Sequence, residues 1–256
     1  MNIPERVLII GTPISAVNEA SCTAFIDENI EAIKGQYICV SNVHTTVMAY
    51  EDENYKSVQS GSILTVPDGK PLSVLGKRQN MDIGRVTGLF LMRHYLLDSK
   101  QKPFRHFFYG NTENNLNLLM DSLKSSCPSV NIVGYKHSVF RDLTSDEKEE
   151  LIQQINDTNP DFVWVSLGAP RQEIFCAEMK NKINGLMIGV GGAFNVLAGT
   201  VPDAPDWMKQ AGLEWFFRLQ KEPIRLFRRY FEYNSKFIML VFIEKIKCIL
   251  RKQRSG

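Results

Sequence analysis

Ser166-Leu-Gly-Ala-Pro-Arg-Gln-Glu173 and Val190-Gly-Gly-Ala-Phe-Asn195 decide the fold of this chain. Each sets a glycine-bearing turn between an apolar run (Phe162–Ser166 before the first, Leu186–Val190 before the second) and a helix-compatible run. Strand, tight turn and helix in that order make an α/β junction. Such junctions lie at the carboxyl edge of a parallel sheet, where ligands bind. The backbone N–H groups of Gly191 and Gly192, opening the second helix, are placed to receive a phosphate. Arg171, Gln172 and Glu173 are expected to put polar groups within a substrate's reach.

The same alternation extends on both sides. Further strands are expected over Arg6–Ile10, Tyr37–Ser41, Ser62–Val66, Arg105–Tyr109 and Val130–Val133, several apolar throughout, as parallel strands buried on both faces are. Helices are expected near Thr46–Val58, Val86–Ser99, Glu113–Ser125, Asp146–Asn156 and Arg171–Lys182, with Ser145 capping the fourth. The fold class is therefore α/β: a doubly wound, mostly parallel, Rossmann-like sheet. After Val201-Pro-Asp-Ala-Pro205 the character changes to basic, aromatic and helix-compatible, broken once at Glu222-Pro223. Residues 1–200 are expected to form the α/β core and 201–256 a C-terminal helical appendage.

A net charge of +2 conceals a polarity. From Lys209 onward there are 12 Lys/Arg and 4 Asp/Glu, against 18 and 24 in the residues before it. A basic tail on an acidic core points to an anionic partner, a phospholipid surface or a nucleic acid. The five cysteines are scattered without a Cys-x-x-Cys pair, so neither a disulfide framework nor a zinc site is expected. No secretory leader is expected at the first residues. The longest apolar run, Phe237–Ile243, falls far short of the roughly 20 residues that cross a bilayer.

Several side chains converge on the sheet edge in this reading. Thr65-Val-Pro-Asp-Gly69 places Asp68 directly after a strand, where a carboxylate can deprotonate a sugar hydroxyl; Pro-Asp-Gly is also ordinary turn chemistry. Ser41 and Asn42 follow another strand and either face the same crevice or cap the next helix. Arg85, ahead of a helix, is placed to bind a phosphate. No Asp-x-Asp occurs and the four histidines have no ligand spacing, so no metal is expected and leaving-group charge falls to Arg and backbone donors. P-loop and Gly-x-Gly-x-x-Gly patterns are absent too, and no cofactor is expected. In the tail, Glu214-Trp-Phe-Phe-Arg218, Arg225 and Arg228-Arg229-Tyr230-Phe231 interleave aromatics with arginines, as a segment lying in a membrane interface does.

Taken together, these segments resemble the WecG/TagA/CpsF family of bacterial glycosyltransferases. The similarity rests on Asn159-Pro-Asp-Phe162, Leu167–Glu173, Gly189–Phe194, Ala204-Pro-Asp-Trp-Met208, Gly212-Leu-Glu-Trp215, Pro67-Asp-Gly69 and Arg85-Val-Thr-Gly88, among others, in order along nearly the whole chain. The resemblance implies metal-independent, inverting transfer of a sugar, often of N-acetylmannosamine type, from a UDP donor to a polyprenyl-diphosphate-linked sugar. It implies Asp68 as base, Ser41, Asn42, Arg85 and Gln172 as substrate contacts, and Arg218, Arg225 and Arg228 meeting the diphosphate or lipid. The products would enter teichoic acid, common antigen, capsule or exopolysaccharide synthesis. Asn195, Phe90 and Asp203 depart from the family's usual acidic, acidic and arginine residues.

The expected protein is thus a peripheral enzyme of the cytoplasmic membrane face, with an anionic surface and two sugar substrates as partners and no nucleic acid. Apolar surface between tail and core would also serve a homo-oligomer. The rival readings are an epimerase-type enzyme acting on a UDP-sugar alone, and a non-enzymatic nucleic-acid-binding module using the basic tail.

Overall fold

The first apolar run departs from expectation. Strand β1 (Arg6–Ile9) turns at Ile10 and Gly11 and pairs antiparallel with β2 (Thr12–Ser15), forming a hairpin beside the main sheet instead of a strand within it. Arg6 fastens this hairpin by donating to the carbonyls of Ser60, Ser62 and Ile63, and the Ser15 hydroxyl accepts the Thr65 N–H at 3.0 Å. The structure is a computed structural model that describes residues 1–98, 103–221 and 223–254, with backbone alone at 210, 225, 226, 229, 248, 249 and 251–254.

The main sheet comprises β3 (Tyr37–Ser41), β4 (Leu64–Pro67), β5 (Arg105–Gly110), β6 (Asn131–Lys136), β7 (Phe162–Ser166) and β8 (Leu186–Gly189). All its pairings are parallel, in the order β4-β3-β8-β7-β5-β6. Alternation along β7 shows why it is apolar throughout. Phe162 and Trp164 enter the core on one face, Val163 and Val165 the core on the other, and all four are fully buried. Burying a large apolar side chain contributes about 1.5–3 kcal/mol, so β7 alone anchors both layers.

Helices cover both faces: α1 (Glu19–Asn29), α2 (Val43–Glu51), α3 (Glu53–Gly61), α4 (Lys70–Lys77), α5 (Gly88–Arg93), α6 (Glu113–Ser126), α7 (Ser145–Asp157), α8 (Arg171–Glu178) and α9 (Ala193–Leu197). The doubly wound α/β architecture is the one expected, with local corrections. The helix expected over Thr46–Val58 is two helices, because the Asp52 carboxylate accepts the Asn54 and Tyr55 N–H groups and starts α3 afresh. Thr144, not Ser145, caps α7, with Glu147 returning to the Thr144 N–H in a capping box. Helix α5 passes into a π-helical turn at His94–Asp98; Ser99, the expected end, lies outside the described residues.

Past residue 205 come α10 (Asp206–Ala211), α11 (Glu214–Lys221) and α12 (Pro223–Arg254); Glu222, at the expected break, is outside the described residues. On α12, Phe237 and Leu240 are buried against Val7, Ile9, Ile10 and Ile14 of the hairpin segment and Val47 of α2. Lys236 pairs with Glu51 at 2.8 Å, and Glu244 accepts the Ile10 N–H at 3.2 Å. Helix α2 and the hairpin together seat the long helix. Among the described residues no helix is long and apolar enough to cross a membrane.

Candidate active site

The carboxyl ends of four neighbouring strands, β4, β3, β8 and β7, carry most of the expected site residues. Ser41 and Pro67 stand opposite each other in register, and the Asp68 N–H donates to the Ser41 carbonyl at 2.6 Å. Gly69 follows at φ +118°, a conformation that a side chain would strain, and so turns the chain from β4 into α4. The Pro67 carbonyl accepts the Val86 N–H at 2.9 Å, drawing the Arg85 segment alongside. A Cβ on Gly88 would come within 3.1 Å of Val190 Cα, so glycine lets the start of α5 close on the end of β8. Asp68, Arg85 and the Gly191 turn are thereby fixed along one edge.

Asp68 is half-buried, and its carboxyl is pushed up to about 6. Loss of water is the main cause and the negative charge of Glu214 adds to it, while Arg218 and Arg85 pull it back. Glu214 joins these cations: it pairs with Arg85 and accepts from Arg218 at 2.8 Å. Burial works against the Arg218 charge, but Glu214, then Asp68 and Tyr230, carry that guanidinium above its ordinary range. Helix α10, just ahead of α11, is held here by Arg85 donating to the Lys209 carbonyl at 3.5 Å and by Lys70 donating to the Ala211 carbonyl at 3.2 Å. Sequence reasoning placed Asp68, Arg85 and Arg218 but missed Glu214. Its only local signal is the four-residue spacing to Arg218, which marks a helical ion pair and not a bond to Arg85.

The remaining expected residues divide. The Ser41 hydroxyl is buried and lies 3.0 Å from that of Thr45 and 3.4 Å from that of Thr46. Asn42 caps α2, its side-chain oxygen accepting the His44 and Thr45 N–H groups. Gln172 is buried, passes over Gly189 and reaches toward Gly191. Glu173 does not reach the substrate side as expected: α8 turns it into the core, at 1% exposure. At the Gly191-Gly192 turn, the Gly191 and Ala193 N–H groups donate to the Val165 and Val190 carbonyls. Arg228 is exposed on α12, and the Arg225 side chain lies outside what is described.

The departures from the family pattern have partners of their own. Asn195 accepts from Asn111 at 2.6 Å and from Asn115 at 3.1 Å, Asp203 pairs with Arg93 at 2.8 Å and Lys209 at 2.6 Å, and Phe90 packs on the core. Among the described residues no group of three or more His, Cys, Asp or Glu comes together as a metal would need.

Residues 7–250 match the glycosyl transferase WecG/TagA/CpsF family. The chain belongs to that family. A glycosyltransferase of the WecG/TagA/CpsF family thus carries a dried carboxyl beside two arginines at the carboxyl edge of its sheet. Among its relatives is the N-acetylglucosaminyldiphosphoundecaprenol N-acetyl-beta-D-mannosaminyltransferase of Bacillus subtilis (strain 168), 32% identical over 203 residues, 78% of this chain and 76% of that protein. The protein of the same name from Bacillus spizizenii is 29% identical over 205 residues, 79% and 76% of the two chains.

Proposed function

We propose that this WecG/TagA/CpsF transferase moves an N-acetylmannosamine-type hexose from a UDP-sugar to a polyprenyl-diphosphate-linked sugar, with inversion and without a metal, in cell-surface polysaccharide synthesis. The observation that carries the reading is the Asp68 carboxyl, raised to about 6 and flanked by Arg85 and Arg218. At neutral pH such a carboxyl is largely ionised, yet more basic than an ordinary aspartate, as a general base should be. Asp68 takes the proton of the acceptor hydroxyl; its oxygen attacks the anomeric carbon from the face opposite the leaving group. The bond from that carbon to the diphosphate breaks, and its electron pair leaves with UDP. Arg85 and Arg218, with Arg225 and Arg228 from α12, meet the charge of the diphosphates. Ser41, Asn42, Gln172, Gly191 and Gly192 border the donor. The names of the two Bacillus relatives support the choice of sugar and of lipid-linked acceptor.

Residues 201–256 act in this reading as an appendage to a core of 1–200, bringing the site to the cytoplasmic face of a membrane. Ile224, Phe227, Phe231, Ile238, Phe242 and Ile246 are exposed along α12 at intervals of three, four or seven residues, one continuous stripe of a helix. Exposed Arg228, Lys245 and Lys247 accompany them. Each such charge contributes about 1 kcal/mol on an anionic surface.

The decisive experiment offers a panel of UDP-sugars and a short-chain polyprenyl-diphosphate-N-acetylglucosamine, with and without a chelator, and weighs the products. A disaccharide lipid, with UDP released only when acceptor is present, is the expected result. Interconversion of the UDP-sugar without acceptor would overturn the transferase reading in favour of an epimerase, and loss of turnover on chelation would overturn metal independence. Replacing Phe227 and Phe231 by serine should lower co-sedimentation with anionic liposomes while leaving the fold intact, since both rings are exposed.

A further inference from the structure

Behind the Gly191 turn lies a buried polar chain of which the mechanism above uses only Gln172. The Gln59 Nε2 group donates to the Tyr55 hydroxyl at 3.0 Å, and Tyr55 lies beside Glu173, whose Oε2 is buried without a hydrogen-bond partner. Glu173 Oε1 accepts from Gln172 Nε2 at 2.8 Å. Gln172, only 5% exposed, is left with its Oε1 unpartnered, and that oxygen stands 3.3 Å from where a Cβ on Gly191 would lie. An unpartnered carbonyl oxygen in so buried a side chain costs about 1–3 kcal/mol unless something fills it. The glycine at 191 keeps the approach to it free of a side chain.

The donor and acceptor roles along this chain are not interchangeable. An ionised carboxylate only accepts, so the amide of Gln172 must offer it the NH₂ group and turn its oxygen the other way. We infer that Glu173 is a positioning residue for the donor subsite: it holds the Gln172 carbonyl oxygen toward the Gly191 turn, where that oxygen accepts a hydrogen bond from a hydroxyl or amide N–H of the donor's sugar. This rests on the proposed role of Gln172 as a substrate contact. Without Glu173 the amide is free to present NH₂ in place of oxygen, and a sugar donor group then meets a second donor. The site loses one hydrogen bond and gains a repulsion, while Asp68 and its arginines are untouched.

The test is a double-mutant cycle on donor KM and kcat with the UDP-sugar that the panel identifies, at pH 8, where Glu173, pushed up to about 7 by burial, is ionised. Glu173→Met, close in shape but with no acceptor, should raise the donor KM about fivefold to tenfold, the ratio equivalent to one neutral hydrogen bond, with kcat nearly unchanged. Glu173→Gln, whose side-chain oxygen still accepts, should restore most of the loss. In a Gln172→Ala background, Glu173→Met should add nothing. A KM rise of equal size in that background, or a fall in kcat alone, would overturn the positioning role. So would a Glu173→Met enzyme that binds donor as well as the unaltered chain while Gln172→Ala does not. Should Gln172→Ala itself leave the donor KM unchanged, the reading of Gln172 as a contact fails first. If Glu173→Met does not fold, Glu173→Gln decides alone, and a tenfold KM rise in it overturns the inference.

Discussion

Asp68 and Glu173 are both carboxyls that the fold has deprived of water, and both end up well above the ordinary carboxylate range. They differ in what replaces the water. Around Asp68, half open at the sheet edge, stand Glu214, which adds to the rise that burial causes, and Arg218 and Arg85, which oppose it. Glu173 accepts a hydrogen bond from the neutral Gln172 amide on one oxygen, its other oxygen is unpartnered, and the group is sealed. Desolvation raises a carboxyl in either place; surrounding charge decides whether it is a base in contact with substrate or a fixed acceptor behind the site.

The most severe break of this contrast is Asp68→Asn. It keeps shape and hydrogen bonding but removes the proton acceptor, so kcat should fall by about 10²–10⁴-fold, the usual contribution of a general base. Titration calorimetry should meanwhile find UDP binding within a few-fold of the unaltered protein. Near-normal turnover in the variant would end the assignment of Asp68 as base.

The next tests the sealed carboxyl through stability. Folded Glu173 stands at about 7, whereas an unfolded glutamate titrates near 4.3. Between those values the folded chain binds more protons than the unfolded one, so stability falls as pH rises through that window. The loss between pH 4 and pH 8 from this one group is on the order of 3 kcal/mol. Denaturant midpoints at the two pH values should show the slope, and Glu173→Gln should flatten it. Asp68 acts in the same sense but more weakly, being half-open to solvent. An unchanged slope in Glu173→Gln would mean that the carboxyl is better solvated than its burial indicates.

What could be read in the sequence follows the same division between local and distant causes. Strands Tyr37–Ser41 and Phe162–Ser166 were legible to the residue because both faces are buried and the runs are apolar throughout. Thr12–Ser15 was not, since Gly11 and Pro13 read as a turn; only the pairing with Arg6–Ile9 makes it a strand. Helix α1 escaped because Cys22, Thr23, Phe25 and Ile26, its buried side chains, form too mixed a stripe to stand out. Asp68 was legible because a strand followed by Pro-Asp-Gly locates a carboxylate at the sheet edge. Glu173 was misplaced because neighbouring residues at a helix start can face groove or core, and packing on β3 and β7 sets which. Glu214 acquires its meaning from Arg85, far away along the chain, and no spacing rule reaches that far.

The smallest expected effect sharpens the comparison by making the two carboxyls more alike. Glu214→Gln takes a negative charge from beside Asp68 and releases Arg85 and Arg218 from their ion pairs. Both changes favour the ionised form of Asp68, so its titration should move down from about 6 toward the ordinary aspartate range. The sign is definite: a base must be deprotonated to act, so the acid limb of kcat/KM should shift to lower pH. At pH 7, where Asp68 is already mostly ionised, activity changes little from this cause; at pH 5 the variant should outperform the unaltered enzyme relative to its own plateau. The plateau itself should drop modestly, because a less basic carboxylate removes a hydroxyl proton less readily. A limb moving upward would show that Glu214 serves chiefly to hold the arginines against Asp68, and that its own repulsion is the lesser effect.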